Sequence, residues 1–219
     1  MKKVIIGNSG VIVSSGKAHY IDVVPDDYTV LQYISASGQS ILDTGILVSQ
    51  DDTIILTYEL TNLSQANDKF IISCQQGYSG GGIWVETYDS YNRWYVRFGS
   101  SSSVNIAPEQ RHLNGVHTFE VRKNYFGIDG ERILSPTYSS MPSTPLNVGG
   151  RFATNGTSPV GGFYGRIYGA KILDTNGNPR WWGVPVKNQN NVAGMYDLVS
   201  DSFFPSNTTT DFTAGPVAQ

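Results

Sequence analysis

Apolar and polar residues alternate with period two along most of this chain, and no stretch sustains the i, i+3, i+4, i+7 spacing of an amphipathic helix. In "DTIILTYEL", Ile54, Leu56, Tyr58 and Leu60 share one face, while Thr53, Thr57 and Glu59 take the other and Ile55 alone breaks the alternation. That is the pattern of a strand with one face in a core and one turned away from it. "RWYVRF" sets Trp94, Val96 and Phe98 against Arg93, Tyr95 and Arg97, and "VHTFEVR" sets His117, Phe119 and Val121 against Thr118, Glu120 and Arg122. In "GFYGRIYGAKIL", Phe163, Gly165 and Ile167 fall on one side. Asp129-Gly130 lies between Ile128 and Ile133, and such a dipeptide predicts a tight hairpin turn, because both residues tolerate positive φ. The pattern predicts an all-β protein of short, mostly antiparallel strands.

Residues 1–27, "MKKVIIGNSGVIVSSGKAHYIDVVPDD", read differently: two very short apolar strands about the turn "GNSG", then "HYIDVV", stopped by Pro25. Such a unit is too small to bury a core of its own. Val4, Ile5, Ile6, Val11, Ile12 and Val13 offer strand-forming surface that can pair with a partner's sheet edge or with copies of itself, which makes them candidate attachment residues. The alternative is that this segment caps the rest of the chain in cis. The sequence therefore divides into a β-rich N-terminal attachment segment, 1–27, and a main domain, 28–219.

With 219 residues the chain is large enough to bury roughly 70% of its unfolded surface. Twenty-four glycines, 12% aromatics and only 15% charged residues fit strands joined by many turns. A net charge of −3 with 15 scattered lysines and arginines supplies no field for a phosphate backbone, so nucleic acid is not an expected partner. Cys74 is the only cysteine, which excludes an intramolecular disulfide, and its place in "KFIISC" makes it a small buried hydrophobe. The longest apolar runs near the start, "VII" and "VIV", are far shorter than a signal-peptide core or a membrane span. A soluble chain that does not use a membrane and reaches the outside by lysis rather than by a signal peptide is the expectation.

Two longer blocks carry a resemblance. "FEVRKNYFGIDGERI" resembles the paired strands ending in an Asp-Gly turn of laminin-G-like and concanavalin A-like jelly rolls, and "GFYGRIYGAKIL" resembles their late strand. "LQYISASGQSILDTGI" near the front, taken with "GMYDLVSDSFFPSNTTTDFTAGP" at the back, resembles concanavalin A-like modules of structural proteins from phages of gut bacteria and of some surface proteins of those bacteria. The resemblance covers about residues 31–216. It implies a two-sheet antiparallel jelly-roll sandwich whose closing stretch lays Tyr196, Leu198 and Phe203 over the sandwich edge, with "TTTDFTAG" paired beside the first strand. It further implies a virion protein, a capsid decoration, head fibre or tail appendage on the particle surface, with other virion proteins as partners and homo-oligomers open. A carbohydrate-binding module that adheres to bacterial surface glycans is the second reading.

Glycoside hydrolases place two carboxylates across one sugar bond, but in "VETYDS" Glu86 and Asp89 stand three apart and point to opposite faces of a strand, so no catalytic residue is assigned. "GNSG" is a turn rather than a nucleophile loop, "GYSGGGIW" leads into a strand rather than a phosphate-binding helix, and His19, His112 and His117 lack metal-ligand spacing. No cofactor is expected; "SQDD" and "SNTTTD" could offer oxygen atoms for calcium, and solvated loops are the simpler reading. Aromatic faces backed by polar donors are what sugars stack upon, and Trp84, Tyr88, Tyr91, Arg93, Tyr95 and Arg97 form the candidate glycan-binding set.

Overall fold

A computed structural model describes residues 23–61, 69–74, 83–88, 93–98, 102–106, 114–135, 144–152 and 158–218. Among them there is no helix. The attachment residues Val4, Ile5, Ile6, Val11, Ile12 and Val13 lie outside the described residues, as do Tyr91, Asp89, His19 and His112.

Eleven strands make the larger sheet. Its central path contains β4 (Thr53–Leu60), β9 (Val116–Arg122), β10 (Tyr125–Ile128), β11 (Glu131–Leu134), β15 (Tyr164–Leu173), β16 (Pro179–Asn188), β17 (Ala193–Asp197) and β18 (Ser202–Pro205). They run in the order β11-β10-β9-β4-β15-β16-β17-β18, with β1 (Tyr28–Val30) on β16, β2 (Ile34–Ser37) on β15, and β19 (Thr213–Ala214) on β2. The smaller sheet has the order β3-β12-β5-β6-β7-β8, from β3 (Leu42–Asp43), β12 (Asn147–Val148), β5 (Lys69–Ser73), β6 (Ile83–Tyr88), β7 (Arg93–Phe98) and β8 (Ser102–Ile106). β13 (Arg151–Phe152) and β14 (Pro159–Val160) form a separate two-stranded ribbon. All named strand pairs are antiparallel; Phe70 and Gly162 make one isolated parallel bridge.

One core lies between the sheets. Ile54, Leu56, Tyr58 and Leu60 of β4, Phe119 and Val121 of β9, and Ile167 and Ile172 of β15 meet Leu42, Ile71, Ile72, Val96 and Val148 of the smaller sheet. Fully burying each such side chain contributes about 1.5–3 kcal/mol. The period-two reading of β4 therefore holds, with Ile55 and Glu59 half-buried on the opposite face. In β15 it holds as far as Ile167; a bulge between Ile167 and Gly169 then shifts the pattern, so that Ala170 and Ile172 become the core residues. Asp129 and Gly130 take φ of 53° and 81° at the β10–β11 hairpin, the mirror-image turn their sequence predicts. Cys74 is buried in the core.

A second apolar cluster covers the outer face of the larger sheet. Val184 and Val186 of β16, Tyr196 of β17 and Val30 of β1 are buried beneath Val24 and Ala218, with Tyr28, Trp182, Leu198 and Phe203 packed around them. The rings of Tyr28 and Tyr196 lie 4.9 Å apart, and those of Tyr28 and Phe203 5.5 Å apart. Tyr196, Leu198 and Phe203 thus build a layer outside the sheet as well as the edge strand β18. Val24, which the sequence assigns to the N-terminal segment, is packed in this layer. The closing stretch pairs beside the first strand: Thr213 and Ala214 sit opposite Ser35 and Ile34, Leu31 bridges Val217, and the Ala218 amide donates to the Val30 carbonyl at 3.0 Å.

Candidate functional site

The register of β6, β7 and β8 decides which of the candidate glycan residues belong together. Trp84 is opposite Arg97, Glu86 opposite Tyr95, and Tyr88 opposite Arg93; on β8, Ser103 pairs with Arg97 and Asn105 with Tyr95. Cross-strand partners share a face, and Val96, one residue away from both Tyr95 and Arg97, is buried in the core. Trp84, Tyr88, Arg93, Tyr95 and Arg97 therefore occupy positions on the face directed away from the core, together with Glu86, Ser103 and Asn105. Tyr91, the sixth candidate, lies outside the described residues.

Pairing extends this face to residues distant in sequence. Trp84 is opposite Ser73, Ser73 opposite Asn147, and Asn147 opposite Asp43, so one row crosses the whole smaller sheet: Asp43, Asn147, Ser73, Trp84, Arg97, Ser103. Asn147 is only 4% exposed, and its Oδ1 is buried with no hydrogen-bond partner. A neighbouring row places Phe70 beside Glu86, with the guanidinium of Arg151 4.6 Å above the Phe70 ring. Sequence reasoning missed Asp43, Ser73 and Asn147, because only non-local pairing brings them to the row. The described part of this face is covered, with Ser73, Phe70, Asn147 and Arg151 all buried; the register places the candidate glycan residues further along the same rows.

The larger sheet carries a different cluster. Arg166 Nη1 and the Tyr168 hydroxyl each donate to Glu59 Oε2 at 2.8 Å, the Arg166 guanidinium lies 4.7 Å above the Tyr33 ring, and the Tyr33 and Tyr168 rings meet edge-on at 5.4 Å. Tyr33 also accepts the Gly215 amide at its carbonyl, at 3.0 Å, and its ring packs so close that a Cβ at residue 215 would fall 2.6 Å from it. The cluster fastens the closing stretch to the sheet. Burial and the bond to Glu59 push the Tyr168 pKa up to about 12. Because the folded value exceeds the unfolded value of about 10, the folded state keeps a proton that the unfolded state releases. Its contribution is therefore complete below about pH 10 and is lost as the pH rises through 12. Burial pushes Tyr58 and Tyr196 in the same direction. Urea midpoints measured at pH 8 and pH 11 should fall less steeply for Tyr168→Phe than for the wild type; equal falls would show that this hydroxyl carries none of the alkaline dependence.

The calcium-capable loops spend their oxygen atoms internally. In "SQDD", Asp52 accepts the Ser49 amide at 2.7 Å and pairs with Arg180, while Asp51 pairs with Lys123 at 3.3 Å. In "SNTTTD", Asn207 Oδ1 accepts the Asp43 amide at 2.9 Å and the Thr208 hydroxyl donates to the Gln39 carbonyl at 2.8 Å. Among the described residues no three histidine, cysteine or acidic side chains gather as a metal site. Asp51, Thr53, Arg122, Lys123, Asp174, Thr175 and Gly177 line an open cavity of about 340 Å³ at one end of the larger sheet. Its carboxylates are engaged as well: Asp174 Oδ1 accepts the Asn176 and Asn178 amides at 2.8 Å, which holds its carboxyl below the usual range. His117 bridges Asp129 at 2.7 Å and the Asn114 carbonyl at 2.9 Å, tying the β10–β11 turn to the start of β9.

The fold and these faces define an antiparallel, sandwich-like all-β protein. No family model matches the chain, and no curated protein matches it.

Proposed function

We propose that this chain is a non-enzymatic structural protein of a phage particle, a concanavalin A-like jelly roll displayed on the virion as a capsid decoration, head fibre or tail appendage. The reading rests on the resemblance of its front and back blocks, and the observation that carries it is their side-by-side pairing. Gln32 donates to the Pro216 carbonyl at 2.8 Å and Leu31 bridges Val217, so the chain enters and leaves the sandwich at one place. A module tethered there presents its other surfaces outward. Attachment runs through Val4, Ile5, Ile6, Val11, Ile12 and Val13, by strand addition to a partner virion protein or to a second copy. The non-enzymatic reading is supported by the spacing of one carboxylate pair on the smaller sheet: Asp43 stands three strands from β6, which bears Glu86, about 14 Å at ordinary strand spacing. That exceeds the roughly 5–9.5 Å that glycosidase carboxylates require.

Truncation tests the attachment. A chain starting at Val23 keeps Val24 in its layer and is expected to melt close to the full-length protein while losing co-sedimentation with purified particles. A sharp drop in melting temperature with particle binding retained would instead make the segment part of the domain. A glycan contact is the second reading, favoured by the shared face of Trp84, Tyr88, Arg93, Tyr95 and Arg97. On a bacterial glycan array, Trp84→Ala is expected to lower binding about fivefold or more, since aromatic stacking is worth on the order of 1 kcal/mol. An unchanged array pattern would remove this face from the contact.

A further inference from the structure

The sequence contains three Asn-Gly dipeptides, Asn114-Gly115, Asn155-Gly156 and Asn176-Gly177, of which Asn155-Gly156 lies outside the described residues. Such a pair is reactive because glycine has no Cβ to keep its own nitrogen away from the preceding side-chain amide. Asn114 and Gly115 lead into β9, Asn176 and Gly177 lie in the β15–β16 turn, and all four residues are exposed. Both glycines take positive φ, 95° and 79°, and a Cβ on either would meet nothing within 4 Å. Solvent access, φ and crowding therefore do not distinguish the two pairs. Hydrogen bonding separates them. The Gly177 amide donates to the Asp174 carbonyl at 3.0 Å, and the Asn176 and Asn178 amides both donate to Asp174 Oδ1 at 2.8 Å, so three successive nitrogens of this turn are bound. Among the described residues no oxygen accepts the Gly115 amide. Its peptide unit is held from the other side, where His117 Nε2 lies 2.9 Å from the Asn114 carbonyl oxygen.

We propose that Asn114-Gly115 is a self-modification site, a deamidation centre that converts residue 114 to an acid while Asn176 stays an amide. The Gly115 nitrogen attacks the carbonyl carbon of the Asn114 side chain. Its proton leaves with the side-chain nitrogen as ammonia, and a cyclic imide remains. Water then opens the imide at either carbonyl, giving aspartate or isoaspartate. Nothing is oxidised or reduced, and water is the only co-reactant. Attack requires a glycine nitrogen free to turn toward the side chain. Gly115 meets that condition, whereas Gly177 must first break its bond to Asp174 and with it the turn that joins β15 to β16. The product carries an added negative charge at the entry to β9, beside the His117–Asp129 pair. Opening toward isoaspartate also adds a methylene to the main chain just before Val116, where β9 begins to pair with β4. The proposal depends neither on attachment to a particle nor on a glycan contact.

The test is peptide mapping by mass spectrometry of the full chain during incubation in mildly alkaline buffer, once folded and once in urea. In the folded chain Asn114 should convert at least about fivefold faster than Asn176, the ratio that a hydrogen bond of ordinary net strength sets. Both aspartate and isoaspartate should appear at residue 114. In urea, where neither local structure survives, the two rates should converge. Conversion of Asn114 no faster than that of Asn176 in the folded chain would overturn the proposal. So would a difference of the same size that persists in urea, because it would assign the rate to the neighbouring residues rather than to the fold.

Discussion

Asp197→Ala is expected to lower the unfolding free energy by about 3–4 kcal/mol, a large loss for one small side chain at the end of β17. The carboxylate is 1% exposed and works as a hub. Oδ1 accepts the Trp182 amide at 2.7 Å and the Val199 amide at 3.1 Å; Oδ2 accepts the Ser200 amide at 3.2 Å and the Ser200 hydroxyl at 2.6 Å. Hydrogen bonds to an ionised acceptor contribute about 1.5–3 kcal/mol each, though bonds sharing one hub do not add in full. Alanine removes all four and leaves amides with no acceptor in a part-buried turn. The damage should be local as well as global, since the same turn carries Leu198 and leads through β18 to Phe203, both packed in the outer apolar layer. Urea unfolding of wild type, Asp197→Ala and Asp197→Asn would measure it, with asparagine, which keeps one acceptor, losing about half as much. A loss under about 1 kcal/mol for alanine would mean that the β17–β18 turn holds itself without the carboxylate.

Asp197 stands inside "MYDLVSD", the block the sequence marks as a closing stretch, yet nothing in the string distinguishes its role from that of Asp201. What the string does carry is period. Alternation in β4 and β9 separates Tyr58 and Phe119 from Glu59 and Thr118, because a strand exposes its faces in strict turn. For the same reason Arg93, Tyr95 and Arg97 are recognisable as one face of β7. Joining Trp84 and Tyr88 to them requires the register of β6 on β7, which a slip of one residue would have reversed. Pairing between distant segments has no local signature at all. Asn147 and Ser73 enter the row beside Trp84 by such pairing, and so does Tyr33 beside Arg166 and Tyr168. Val184, Val186 and Tyr196 fill a second layer on the far side of the sheet, which no local pattern announces, because Val24 and Ala218 come from distant parts of the chain to cover them there.

Gly162→Ala is expected to cost at least about 3 kcal/mol and to leave much of the chain unfolded at 37 °C. The two sheets meet at this residue. Phe70 of the smaller sheet bridges Gly162, the Phe70 amide donates to the Gly161 carbonyl at 2.9 Å, and the Phe163 amide donates to the Gly149 carbonyl at 2.9 Å. On the other side, the Gly38 amide donates to the Phe163 carbonyl at 2.9 Å, which brings the end of β2 directly against the glycine. A Cβ on residue 162 would fall 1.7 Å from the Gly38 carbonyl oxygen, a backbone atom that cannot swing aside. Relief requires β2 to withdraw from β15, and β2 also carries β19, so the closing stretch moves with it. Gly45→Ala is the control. Gly45 has φ of 70° with nothing within 4 Å of an added Cβ, so only the left-handed backbone opposes alanine there, at about 1–2 kcal/mol. Thermal and urea unfolding of the two variants separates steric contact from backbone strain. If Gly162→Ala proves no worse than Gly45→Ala, the sheets are not locked together at this junction and β2 has room to shift.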